Sequence, residues 1–243
     1  MNNSASNVGG SPLVEHLREL RDRLGVAVIV MLVGFALCYS VKEQLFDLLM
    51  QPLATAQSPG NPQMIFTAVG ELFFTYLKLS FWGGFFLAFP VLLWEIWRFV
   101  APGLYEKEQR MVFPFVIATP LLFFMGGAFT YFLVMPLVIE FFFTFETATI
   151  TALPSVKEYL SFFLKMIFAF GIAFELPVLL ILLALAGITD AKKLANFRRY
   201  AVVCVFVAAA ILTPPDPASQ LLLALPLFFL YELSIIGIKV LKR

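Results

Sequence analysis

From Met111 to Ile139 no residue carries a charge, and none does between Leu79 and Trp94. About 20 apolar residues in a row suffice to cross a bilayer as a helix. In hydrocarbon only a helix or a closed barrel satisfies every backbone N–H and C=O, so runs of this kind leave the chain few options. The composition points the same way: 61% of the 243 residues are hydrophobic and 14% charged, with a mean hydropathy of +0.91. A soluble domain is rarely so apolar.

Read along the chain, the pattern gives an all-α integral membrane protein with six spans, at about residues 24–41, 75–97, 111–139, 162–188, 200–213 and 219–237. Residues 1–10 are Asn, Ser and Gly without an apolar period, so a disordered tail is expected; residues 11–243 form a single membrane domain. Ser11-Pro12 offers an N-cap followed by proline at the first helical position. Leu13, Leu17, Leu20 and Leu24 then recur at spacings of four and three, the signature of an amphipathic helix running into the first span. Prolines 114, 120 and 136 predict a curved third span, and Gly187 closes the fourth. Residues 42–75 form a cap with structure of its own, interrupted by Pro52 and by Ser58-Pro59-Gly60-Asn61-Pro62; residues 140–161 form a second segment on the same side. Asp190–Arg199 reads as a basic loop. The last two spans are short for a bilayer of roughly 30 Å, which predicts local thinning.

Orientation follows from charge, because short loops rich in Lys and Arg stay in the cytoplasm. Six spans put Arg18, Arg21, Arg23, Arg98, Lys107, Arg110, Lys192, Lys193, Arg198, Arg199, Lys239, Lys242 and Arg243 on one side, against Lys42, Lys78, Lys157 and Lys165 at the other. Both termini are therefore expected inside. A net charge of +1 without a basic block outside these loops argues against nucleic acid as a partner. Cys38 and Cys204 both fall in apolar runs and read as small hydrophobes; no ligand set for a metal is present, and no cofactor is expected. Neither H-E-x-x-H nor G-x-S-x-G occurs, so the chain is not expected to be an enzyme.

Three sets of polar residues stand out. Arg98–Arg110 concentrates charge between two spans, with Glu106 and Glu108 set among cations. Those carboxylates either bind a cationic group on the cytoplasmic side or are solvated surface charge, just as Glu19 has Arg23 at the i,i+4 spacing of an ordinary helix ion pair. Glu175 lies in mid-span, where an ionised, unpaired carboxylate costs roughly 2.5–3.5 kcal/mol. It is either a functional group or a protonated side chain bonded to the carbonyl of Ala173, which Pro177 leaves without its helical donor. Thr213 and Gln220 flank Pro214-Pro215-Asp216-Pro217 and either present a polar patch to a partner helix or cap the turn. A secondary transporter of a small solute working through Glu175 is the alternative reading; such folds usually show two related halves, and no internal repeat is found here.

Four segments carry a family resemblance: HLRELRDRL (16–24), WRFVAPGLYEKEQR (97–110), AFGIAFELP (169–177) and LTPPDPASQ (212–220). Together, in this order and with six spans, they resemble the TatC family, the multi-spanning subunit of the twin-arginine protein translocase. The resemblance implies a glove-like, concave six-helix bundle in the bacterial inner membrane that binds the twin-arginine signal peptides of folded cargo on its cytoplasmic face. It also implies single-span partners of the TatA and TatB type, a homo-oligomer within a larger complex, and export driven by the proton-motive force. Carried onto this sequence, the signal-peptide site falls on Glu19 and Glu108, with Arg21, Phe99 and Leu104 nearby. The resemblance also implies that Glu175 is a polar spot inside the concave face that either engages a partner's span or thins the membrane.

Overall fold

The computed structural model describes residues 12–56, 64–100, 106–147, 153–212 and 217–241. The helices are α1 (Pro12–Ser40), α2 (Lys42–Ala56), α3 (Glu71–Val100), α4 (Glu106–Phe129), a π-helical turn (Thr130–Val134), α5 (Met135–Phe143), α6 (Val156–Phe174), α7 (Leu176–Leu185), α8 (Ala191–Leu212) and α9 (Pro217–Leu241). Among the described residues six helical stretches are long and apolar enough to cross a membrane; α4, the π turn and α5 form one, and α6 with α7 another. The expected tail, residues 1–10, lies outside the described residues.

The helix starts differ from the sequence expectation in one consistent way. Among the described residues each span begins ahead of its expected apolar run, because charged residues mark the membrane surface and do not stop a helix; at the other end the first and fourth stop at Ser40 and Leu185, short of the expected 41 and 188. The amphipathic start and the first span are one continuous α1 of 29 residues. Asp190–Arg199, expected to be a loop, is helical from Ala191 onward; Asp190 caps it by accepting the Lys193 N–H at 2.7 Å. As a result α8 and α9 have 22 and 25 residues, about 33 and 38 Å at 1.5 Å per residue. The rods are longer than the expected spans because the charged first turns of α8 are helical; the apolar part of α8 stays short. The second segment of the cap side also shrinks, since α5 runs to Phe143 and α6 begins at Val156.

Two spans are broken where the sequence placed special residues. The third widens at Thr130–Val134, where the Met135 N–H donates to the Thr130 carbonyl five residues back. Pro136 follows directly and has no N–H to continue the regular ladder. Thr130, fully buried, donates its hydroxyl to the Gly126 carbonyl at 3.0 Å. The fourth breaks at Glu175, with Pro177 in the first turn of α7. At its far end Gly187 takes φ +74°, and the Ile188 N–H reaches the Leu183 carbonyl at 3.0 Å, a closure that needs the left-handed region glycine occupies freely.

The core runs between α3, α4 and α6, where Phe123, Phe163, Phe170, Leu160 and Met166 are fully buried. Phe89 and Phe123 stack at 3.6 Å between ring centroids. A smaller core of Ala184, Leu194, Ala201, Tyr231, Ile235 and Ile238 joins α7, α8 and α9. The opposite faces expose large apolar side chains, among them Phe132 and Ile211. This inversion of a soluble surface is what hydrocarbon requires, since lipid tails cover such faces without cost. Leu17, Leu20 and Leu24, the apolar stripe of α1, are also exposed.

At the end of the bundle away from the chain termini, directional bonds tie the helices together. Ile65 pairs with Ser155 in an isolated parallel bridge. Glu71, buried at the start of α3, accepts on one oxygen from the Thr67 N–H (2.6 Å), the Thr67 hydroxyl (2.9 Å) and the Ala68 N–H (3.2 Å). Its other oxygen accepts from the Ser155 hydroxyl (2.6 Å) and the Lys157 N–H (3.0 Å) at the head of α6. The hydroxyls of Tyr131 and Tyr159 donate to the carbonyls of Leu48 and Leu49, both at 2.9 Å, and so hold α2 down on the bundle.

Candidate functional site

At the terminal end, α1 and α3 lie side by side because their backbones touch. A Cβ built on Gly34 would stand 2.7 Å from the Gly84 carbonyl oxygen, and one built on Gly84 would stand 2.5 Å from the Phe35 nitrogen. Small residues permit that approach where lipid supplies no hydrophobic drive between helices. The contact brings the start of α1 against the last turns of α3.

There a chain of four charges forms. Arg23 donates from Nη2 and, at 3.2 Å, from Nε to Oε1 of Glu19, one turn earlier on α1. From Nη1 it donates to the backbone carbonyl of Glu95 at 3.2 Å and to Glu95 Oε2 at 3.5 Å. Arg98 reaches the other Glu95 oxygen at 3.4 Å. The side chains of Arg23 and Glu95 are only 15% and 12% exposed, whereas Glu19 is 39% and Arg98 58% exposed. The inner pair is thus largely desolvated, where charge-assisted bonds are worth more than at an open surface. The i,i+4 pair allowed by the sequence therefore exists, as part of a network spanning two helices.

The other expected site residues sort unevenly. Arg21 pairs with its neighbour Asp22 at 2.7 Å on the exposed face. Leu104 and Thr213 lie outside the described residues. Phe99 and Glu108 belong to α3 and to the first turn of α4, and their side chains lie outside the described residues. Gln220 donates from Nε2 to the Phe206 carbonyl at 2.9 Å, which ties α9 to α8 beside the turn.

In mid-span, Glu175 closes α6. Its own N–H donates to the carbonyls of Ile172 and Ala173, so the Ala173 carbonyl is served by backbone and the expected side-chain bond to it is not formed. The carboxyl instead faces the Thr119 hydroxyl and the backbone of Phe123 on α4. Glu175 Oε1 and Thr119 Oγ1 are both buried without a hydrogen-bond partner. Close packing creates the spot: a Cβ on Gly171 would lie 2.6 Å from the Phe123 ring, and one on Gly126 would lie 2.5 Å from the Phe170 carbonyl oxygen. Polar groups buried at this depth are costly unless they meet one another, and the carboxyl and hydroxyl face each other across α6 and α4.

Sequence reasoning missed three participants. Glu95 stands at the end of a charge-free run, and its only local signal is Arg98 three residues on. Thr119 carries no signal beside Pro120. Glu232 holds Arg198 in a two-pronged pair at 2.6 and 2.7 Å.

Residues 15–226 match the family described as Sec-independent protein translocase protein (TatC). A Sec-independent protein translocase protein TatC from Magnetococcus marinus is 52% identical over 225 residues, covering 93% of this chain and 83% of the relative. One from Aquifex aeolicus is 41% identical, covering 92% and 93%. A crystal structure of the twin-arginine translocase receptor TatC superposes with a TM-score of 0.82 at 39% identity, covering 94% of this chain and all of that one. The chain belongs to the TatC family of Sec-independent protein translocase proteins.

Proposed function

We propose that this chain is the signal-peptide receptor of a twin-arginine translocase. In this reading Glu19 and Glu108 each accept one arginine of the peptide on the cytoplasmic side of the inner membrane, with Arg21, Phe99 and Leu104 lining the same site. The observation that carries it is the half-exposed Glu19 carboxylate holding a guanidinium at the seam of α1 and α3. A carboxylate that receives one guanidinium through two N–H groups is built for the planar fork of arginine, which lysine lacks.

The excess of Lys and Arg at the terminal end supports an orientation with both termini in the cytoplasm. Glu175, with Thr213 and Gln220, is proposed to meet single-span partners of the TatA and TatB type, and the chain is proposed to form a homo-oligomer within the complex. Export then draws on the proton-motive force, and the chain itself catalyses no covalent chemistry. Membership of the translocase family displaces the small-solute transporter reading.

The test is the affinity of a twin-arginine peptide for the full chain in nanodiscs. Glu19→Ala and Glu108→Ala should each weaken binding at unchanged protein yield. Changing both peptide arginines to lysine should weaken binding to the parent and matter far less once both glutamates are gone. Additive losses, with the arginine preference intact in the double variant, would place the arginines elsewhere.

A further inference from the structure

We propose that Arg23 occupies Glu19 as a built-in competitor of the signal peptide, and that Glu95 is the acceptor that takes Arg23 over when a peptide arginine arrives. The proposal rests on the reading of Glu19 as a peptide-arginine acceptor and adds two residues that the reading does not use.

The geometry is that of a hand-over already half made. One edge of the Arg23 guanidinium, Nε and Nη2, lies on Glu19; the remaining nitrogen, Nη1, is already 3.2 Å from the Glu95 carbonyl and 3.5 Å from its carboxylate. Turning the end of the arginine side chain brings the second contact to full hydrogen-bond length without moving either helix. Arg23 is 15% exposed, so losing Glu19 with nothing in exchange would strand a largely desolvated cation. Glu95, 12% exposed, removes that penalty. Its present second partner, Arg98, is 58% exposed and can pass to water at little cost.

Among the described residues Glu19, Arg23, Glu95 and Arg98 set two carboxylates against two guanidinium groups, so an arriving guanidinium competes with a resident one for Glu19. After the hand-over the peptide arginine holds Glu19, Arg23 holds Glu95, and Arg98 is the one released. Competition of this kind also selects. A lysine, which cannot match the fork, displaces Arg23 less readily than an arginine does. Arg23 is thus a specificity-setting residue and Glu95 a positioning residue that acts through it.

The experiment measures binding of a synthetic twin-arginine peptide and its twin-lysine counterpart to the full chain in nanodiscs, for the parent, Arg23→Gln, Glu95→Gln, the double variant and Glu19→Ala. Arg23→Gln should tighten arginine-peptide binding about two- to fivefold, the weight of one partly exposed ion pair, and narrow the ratio between the two peptides. Glu95→Gln should weaken binding by a similar factor, and the double variant should behave like Arg23→Gln alone, since Glu95 matters only while Arg23 competes. If Arg23→Gln does not fold, Arg23→Lys keeps the charge, loses the fork, and should tighten binding to a lesser degree. Additive weakening by Arg23→Gln and Glu95→Gln would show that the pair merely braces α1 against α3, and would overturn the proposal. If Glu19→Ala weakens binding while neither Arg23 variant tightens it, the competitor idea alone falls. If Glu19→Ala has no effect, the receptor reading of Glu19 falls with it.

Discussion

Replacing Gly84 by alanine tests whether backbone contact between α1 and α3 sets the charge cluster below it. The new Cβ would lie 2.5 Å from the Phe35 nitrogen, 2.7 Å from the Gly34 carbonyl carbon and 2.8 Å from the Phe35 Cα. All three are backbone atoms that cannot rotate aside. Ordinary contact needs about 3.5 Å, so the helices must part by about 1 Å. Overpacking of this kind costs about 1–3 kcal/mol, set against about 0.5–1 kcal/mol gained by exchanging glycine for alanine in a helix. The gain can be measured separately. Gly25, on the same α1, has nothing within 4 Å of its would-be Cβ, so Gly25→Ala should be neutral or slightly stabilising. Thermal unfolding of both variants in one detergent, followed by circular dichroism, gives the difference, expected at about 1–3 kcal/mol against Gly84→Ala. Peptide affinity should fall with it, because the 3.2 and 3.5 Å contacts from Arg23 to Glu95 stretch beyond bonding range. Equal stability of the two variants would refute the backbone contact.

Glu175→Gln should preserve most partner-dependent export if the side chain works as a hydrogen-bond donor in mid-span, whereas Glu175→Ala should impair it more; equal and severe loss in both would show that the ionised form is needed. In a background lacking Cys38 and Cys204, a cysteine at Ser58 or Asp216 should react with an impermeant thiol reagent added outside intact cells, and one at Gln109 or Asn196 should not. Labelling of Gln109 from outside would reverse the orientation.

The six spans were legible because a bilayer demands runs of apolar residues and this chain supplies them without interruption. Their ends were not. The Lys and Arg of α8 signal an interface, and nothing in composition says whether an interfacial segment is coiled or helical; the cap by Asp190 decides it. The i,i+4 pair of Glu19 and Arg23 could be read from spacing alone. Its extension to Glu95, 72 residues away, could not, because it depends on two glycines on different helices coming into register. Likewise Pro177 announced the break at Glu175, but the facing Thr119 belongs to another span and becomes visible only once α4 packs on α6.

The carboxylate of Glu71 turns this bundle into a lever. It ties the head of α3 to the head of α6 through two donors, the Ser155 hydroxyl and the Lys157 N–H, and takes three more from Thr67 and Ala68 just before α3, while the far end of α3 is held by the ion pairs of Glu95. Were α3, with 30 residues and about 45 Å long at 1.5 Å per residue, to tilt about its Glu71 end, its displacements would grow with distance from it. Gly84 sits about 20 Å from that pivot and Glu95 about 36 Å. A displacement of about 1 Å at the glycine contact arrives at the ion cluster as nearly 2 Å, by the same rise per residue. In reverse, a displacement at the open end would reach mid-membrane about halved and the pinned end hardly at all.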